Sequence, residues 1–210
     1  VELRKEEDSK SISRVNEVYF FWKSFWTQVL NESQAPLPHW SDEFYRHDAV
    51  GVISKGGVPV AAHLYGVQNL KMAPCRGQSY FHEGFDNRFC SKLIKAGYGK
   101  AMSAAWLTVN PDFVKNPQRI VFSRCLMALA LKASDYLGCE TVIGPTRSDN
   151  GIAEKIIEWG AVSYGKGWAK NTPIEMLVMD NSVQIPLPEI EEELVSQIWN
   201  MENAVIKKAA

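Results

Sequence analysis

Leu107-Thr108-Val109-Asn110-Pro111-Asp112-Phe113 is the stretch whose reading decides the fold. It closes an apolar run, Ala101 to Val109, and such a run at strand length reads as a buried β-strand. Asn110-Pro111-Asp112 stops it, since proline has no N–H for a ladder and Asn and Asp bond their own backbone in turns. Asn116 can then cap a helix, and Pro117 suits the first helical position, where its missing N–H costs nothing. Phe122, Leu126, Leu129 and Ala133 recur at helical spacing along one face, and Gly138 ends the helix. Glu140 to Gly144 supplies a short second strand, so the segment reads as a βαβ unit.

Upstream, Ala49 to Ser54 and Val58 to Val67 are β-rich runs separated by Lys55-Gly56-Gly57, a hairpin signal because glycine takes positive φ without steric cost. Ser79 to Phe89 is open between a sheet extension and a loop. Before the hairpin, Val18, Phe21, Trp22, Phe25, Trp26 and Val29 mark an aromatic helix over Arg14 to Leu30, broken by Ala35-Pro36-Leu37-Pro38. Ser41-Asp42-Glu43 can start a short second helix. Downstream, Asp149 or Asn150 can cap a helix running to about Trp159, which Gly160 terminates. Ala161 to Tyr164 and Ile174 to Met179 read as paired final strands. The order predicts an α/β chain with a central mixed, twisted sheet and helices on both faces. Residues 1–210 read as one domain, with residues 1–12 frayed and residues 188–210 an acidic, helical appendage.

Composition narrows the function. Net charge is -1, so no overall field favours nucleic acid or an anionic membrane. No apolar run approaches the roughly 18 residues of a membrane span, and the charged N-terminal stretch is no signal peptide. Cys75, Cys90, Cys125 and Cys139 lack metal spacing, and no metal constellation exists. Cysteine usage of this kind suits a reducing, cytoplasmic setting.

Two segments then carry a resemblance. The strand ending in Val109-Asn110-Pro111-Asp112-Phe113 is similar to the Val-x-Pro-Asp-aromatic junction of the Gcn5-related N-acetyltransferase (GNAT) superfamily. Asp149-Asn150-Gly151-Ile152-Ala153, leading to Trp159-Gly160-Ala161, resembles the superfamily's last helix and its Gly-Phe ending. The resemblance spans roughly Ala49 to Asp180 and implies a GNAT-like fold with a splayed strand pair. It implies transfer of an acetyl or longer acyl group from acetyl-CoA or acyl-CoA to a small-molecule primary amine. Leu107, Thr108 and Val109 would edge the slot that holds the donor's pantetheine arm, and Asn150 would touch that arm or simply cap its helix.

The chain departs from that pattern in two places. The phosphate loop, usually glycine-bearing, reads Val114-Lys115-Asn116-Pro117-Gln118-Arg119-Ile120-Val121-Phe122-Ser123-Arg124. Either Lys115, Arg119, Ser123 and Arg124 replace backbone amides at the phosphates, or the donor is an acyl group on acyl carrier protein, as in the N-acyl amino acid and acyl-homoserine lactone synthases. The tyrosine acid usual in the last helix is also missing; Ile156 and Ile157 stand there, and Tyr164 lies beyond. These departures leave open a GNAT-fold binding protein without catalysis.

The remaining candidates are read from the residues. Glu83 and His82 form an adjacent carboxylate–imidazole pair, and acyl transfer to an amine needs a base to remove its proton, since the ammonium form is not nucleophilic. Their other reading is a surface loop or edge strand. Arg147 can fork an acceptor carboxylate or form a surface ion pair. His63 reads as a satisfied core histidine, Cys125 as an inert thiol, and Trp22, Phe25 and Trp26 as core.

Overall fold

The computed structural model describes residues 9–81, 88–115 and 118–206. Among the described residues six strands form one mixed sheet: β1 (Ala49–Lys55), β2 (Val58–Asn69), β3 (Lys100–Val109), β4 (Thr141–Arg147), β5 (Val162–Ala169) and β6 (Thr172–Asp180), in the order β1-β2-β3-β4-β6-β5. Only β3 and β4 run parallel; the other neighbours are antiparallel. Helices α1 (Ser9–Glu32) and α2 (Trp40–Tyr45) cover one face, beside α3 (Ala73–Arg76) and α4 (Phe89–Lys95). Helices α5 (Phe122–Tyr136), α6 (Ile152–Glu158) and α7 (Glu189–Ile206) cover the other.

The layering follows from strand alternation. Ala62 and Leu64 of β2 pack under Val18 and Trp22 of α1, whereas Ala61 packs with Cys125, Leu126 and Leu129 of α5. Fully burying side chains such as Trp22 and Leu126, both 0% exposed, stabilises each layer by about 1.5–3 kcal/mol per side chain.

Several expectations need correction. Asn116 and Pro117 lie outside the described residues, and α5 starts only at Phe122. Its first amide partner is not a local cap but the Glu191 carboxylate of α7, whose Oε1 accepts from the Val121 N–H at 2.9 Å. Ser9 to Ser11 belong to α1 rather than to a frayed end. Of the segment after β2, the described residues include α3, a 3₁₀ turn at Ser79–Phe81 and α4, while residues 82–87 lie outside the described residues; elements this short show no clear 3.6-residue period. Helix α7 is built into the core, with Val195 and Glu191 each 1% exposed.

The ladder between β3 and β4 holds only from Ala101↔Thr141 to Ser103↔Ile143. Beyond it, residues 104, 105, 108 and 109 stay paired with β2 and residues 144–147 stay paired with β6, but not with each other. The sheet therefore splits where the strand pair was expected to splay. Gly144 sits at the fork, where an added Cβ would stand 2.5 Å from the Ala104 carbonyl oxygen. A second irregularity lies just past the fork. Leu64 pairs with Ala105 and Ala62 with Thr108, so Trp106 and Leu107 together face His63. This is a β-bulge, and Trp106 takes the left-handed region at φ 60°.

Candidate functional site

The split opens into a cavity of about 390 Å³. Strand β3 lines it with Ala104, Leu107 and Val109, strand β4 with Gly144, Pro145 and Thr146. Phe122 and Met127 of α5 and Ile152 and Ile156 of α6 close one side; Phe25 and Trp26 of α1 reach it from the opposite face of the sheet. Side chains from both helical layers thus meet in one cavity, which means that the sheet is perforated there.

The bulge is held from α1. The Trp26 indole Nε1 donates to Thr108 Oγ1 at 2.9 Å and to the Trp106 carbonyl at 3.3 Å. Thr108 Oγ1 in turn donates to the same carbonyl at 2.8 Å. The Trp106 indole donates to Glu43 Oε2 of α2 at 3.2 Å. A non-glycine residue in the left-handed region costs about 1–2 kcal/mol, and these bonds offset it. Trp26, read from the sequence as core, therefore lines the cavity and holds the bulge beside the split.

The predicted donor residues fall into distinct places. Leu107 and Val109 line the cavity, while the fully buried Thr108 turns its hydroxyl to Trp26 and can offer a ligand only backbone. Ser123 lines the cavity at the start of α5. Lys115 and Arg119 are exposed near it without lining it. Arg124 is corrected: Glu191 grips its guanidinium, Nε to Oε2 at 2.7 Å and Nη2 to Oε1 at 2.8 Å, so this charge is already matched by a protein carboxylate. Lys155 of α6, which sequence reasoning passed over, lines the cavity instead. Asn150 also lines it, and its Oδ1 accepts from the Ile152 N–H at 3.2 Å, so it caps α6 as well.

Arg147 lines the cavity and forms a forked ion pair with Asp149, at 3.0 and 2.8 Å. Glu83 and His82 lie outside the described residues. His63 is not the satisfied core histidine that the sequence suggested. It lines the cavity opposite the bulge, is 3% exposed, and its Nδ1 has no hydrogen-bond partner among the described residues. Burial, reinforced by the charge of His47, lowers its pKa to about 3, so the ring is neutral near pH 7. Tyr164 packs edge-on against Phe89, away from the split. Burial pushes the Cys125 thiol up to about 12, in keeping with an inert thiol. Among the described residues no cluster of three metal-ligating side chains occurs, and no helix is long and apolar enough to cross a membrane.

No family model and no curated protein matches this sequence. Solved structures do match it. An agmatine N-acetyltransferase superposes with a TM-score of 0.60 at 12% identity, over 80% of this chain and 95% of that one. The chain has the GNAT fold. An N-acyl amino acid synthase from uncultured soil microbes matches at 0.57 and 7% identity, over 84% of this chain and 87% of that one. A CoA-dependent acyl-homoserine lactone synthase, solved with SAM and isopentyl-CoA, matches at 0.56 and 11% identity, over 89% and 82%.

Proposed function

We propose that this chain is an N-acyltransferase that moves an acetyl or longer acyl group from a CoA thioester to a small primary amine. The observation that carries the reading is the perforated sheet: a cavity lies between two strands that part after Ser103↔Ile143, lined by residues from both faces. Its walls are largely apolar, which suits an acyl chain and a pantetheine arm. Residues 107–109 leave backbone groups on the open edge of β3 to bond that arm and the developing oxyanion.

In the proposed reaction the neutral amine attacks the thioester carbonyl carbon. The C–S bond breaks, the thiolate departs and takes a proton, and an amide remains. Holding the two reactants together supplies much of the acceleration. The amine's proton goes to Glu83, or to His82, directly or through water. Residues 104–109 carry no carboxylate or imidazole, and His63, its pKa lowered to about 3, is too weak a base. Lys115, Arg119 and Ser123 receive the donor's phosphates, and Asn150 bonds the arm; Arg124 contributes only by the share of its charge that Glu191 leaves.

The test is release of free thiol from acetyl-CoA and from longer acyl-CoAs in the presence of primary amines, with the amide product identified by mass. Consumption of thioester that depends on the amine is expected. Absence of both turnover and binding, across all chain lengths, would defeat the reading.

One observation favours a second donor, acyl carrier protein. The Val121 amide at the start of α5, a group suited to a CoA pyrophosphate, is already bonded by Glu191. A carrier-borne donor brings a single phosphate and needs less of that helix terminus. Comparing acyl-CoA with a loaded carrier protein as donors decides between them.

A further inference from the structure

A second, smaller cavity of about 130 Å³ opens on the α1 face of the sheet. It shares Trp26, Ala105, Trp106, Pro145 and Arg147 with the larger one. Molecules placed in the two cavities would therefore meet at the split.

Its charge is one-sided. Arg46, Arg147 and Lys170 line it, and no Asp or Glu does among the described residues. Two of these cations are matched from behind: Arg46 by Glu43 at 2.8 Å, Arg147 by Asp149 at 2.8 Å. Lys170 is not. Its ammonium stands 5.5 Å from the centroid of the Trp106 ring, and no carboxylate among the described residues bonds it. A ring face takes only part of an ammonium's capacity, leaving donors for an anion.

Lys170 is also held in place at a cost. The turn between β5 and β6 puts Lys170 at φ 48° and Asn171 at φ 59°, where glycine at the second position would be less strained. Asn171 Nδ2 donates to the Gln34 carbonyl at 3.0 Å and pins the turn to the end of α1. A strained lysine kept above a strained tryptophan, at the mouth of the split, is the kind of outlier from which function is inferred.

We propose that this cavity seats the acceptor, and that the acceptor is an amine bearing a carboxylate, which Lys170 binds. This rests on the acyltransferase reading above. Val29, Leu30 and Ile174 add apolar surface to the wall, beside the hydroxyl-bearing Ser33, Tyr80 and Thr172, so an amino acid with an apolar side chain fits its chemistry. The same wall disfavours a polycation such as agmatine, although an agmatine N-acetyltransferase shares the fold.

The experiment compares L-leucine, L-leucinamide and agmatine as acceptors, with rates expressed per neutral amine because the carboxamide also lowers the amine's basicity. With saturating acyl-CoA, kcat/KM for leucine should exceed that for leucinamide by roughly 10- to 100-fold, the worth of one charge-assisted bond. Lys170→Met should remove most of that advantage, and Lys170→Arg should keep part of it. Leucinamide or agmatine performing as well as leucine, or a Lys170→Met variant that keeps the full preference, overturns the inference. Calorimetry of leucine and leucinamide on donor-loaded protein measures the preference independently of turnover. Leucine preferred in binding without turnover supports the inference and removes the acyltransferase reading; equal binding removes the inference alone.

Discussion

Arg124 and Glu191 form a forked, charge-assisted pair that ties α7 to the first turn of α5. Glu191 is 1% exposed and also accepts from the Val121 N–H, so one carboxylate serves as ion-pair partner and remote helix cap. Glu191→Gln keeps the shape and removes the charge, leaving Arg124 uncompensated. The variant should lose about 3 kcal/mol of stability, near the cost of breaking a buried pair. In urea the midpoint should fall at an unchanged m-value; a loss under about 0.5 kcal/mol would show that α7 is held by its apolar face alone.

Donor binding tests the exposed cations at the head of α5. Arg119→Ala should weaken acyl-CoA binding by about 1.5–3 kcal/mol, the range of a charge-assisted bond. Added salt should weaken wild-type binding as well, because exposed charges are screened. Calorimetry reads both. Unchanged affinity in the variant would return Lys115 and Arg119 to the role of a solvated face.

Glu83→Gln tests the proposed base. Turnover should fall by roughly 100-fold with donor affinity intact, and the acidic limb of the rate profile should disappear. Wild-type turnover in this variant would shift the proton-acceptor role to His82 or to water.

The two buried histidines predict an acid-sensitive fold. Burial lowers the pKa of His47 to about 4 and that of His63 to about 3, both below the ordinary 6.5. Between pH 6.5 and those values the unfolded chain binds more protons than the folded one, so stability falls as pH falls. From pH 6.5 to pH 5 the loss should reach about 1.6 kcal/mol per histidine. Denaturation at the two pH values measures it. His63→Gln should flatten the dependence, and an equally steep curve would mean that other groups carry it.

The sequence by itself determined the elements whose signal is local. The apolar run Ala101 to Val109, the helical spacing of Phe122, Leu126 and Leu129, the Gly56-Gly57 turn and the stops at Gly138 and Gly160 each write a period or a breaker into neighbouring residues. Their order was enough for the mixed sheet and its two helical layers. The site was not legible in the same way. That Arg124 would pair with a carboxylate 67 positions away, or that Lys170 would stand over Trp106, leaves no mark on either neighbourhood. Trp106 has no glycine to announce its left-handed backbone; the bonds from Trp26 and Thr108 impose it once α1 lies on β3. Trp26 and His63 carry the pattern of core residues, and only the parting of β3 from β4 turns them toward a cavity. Periodicity is a property of the chain, whereas a cavity is a place where packing is left incomplete, and that is decided only when distant segments meet.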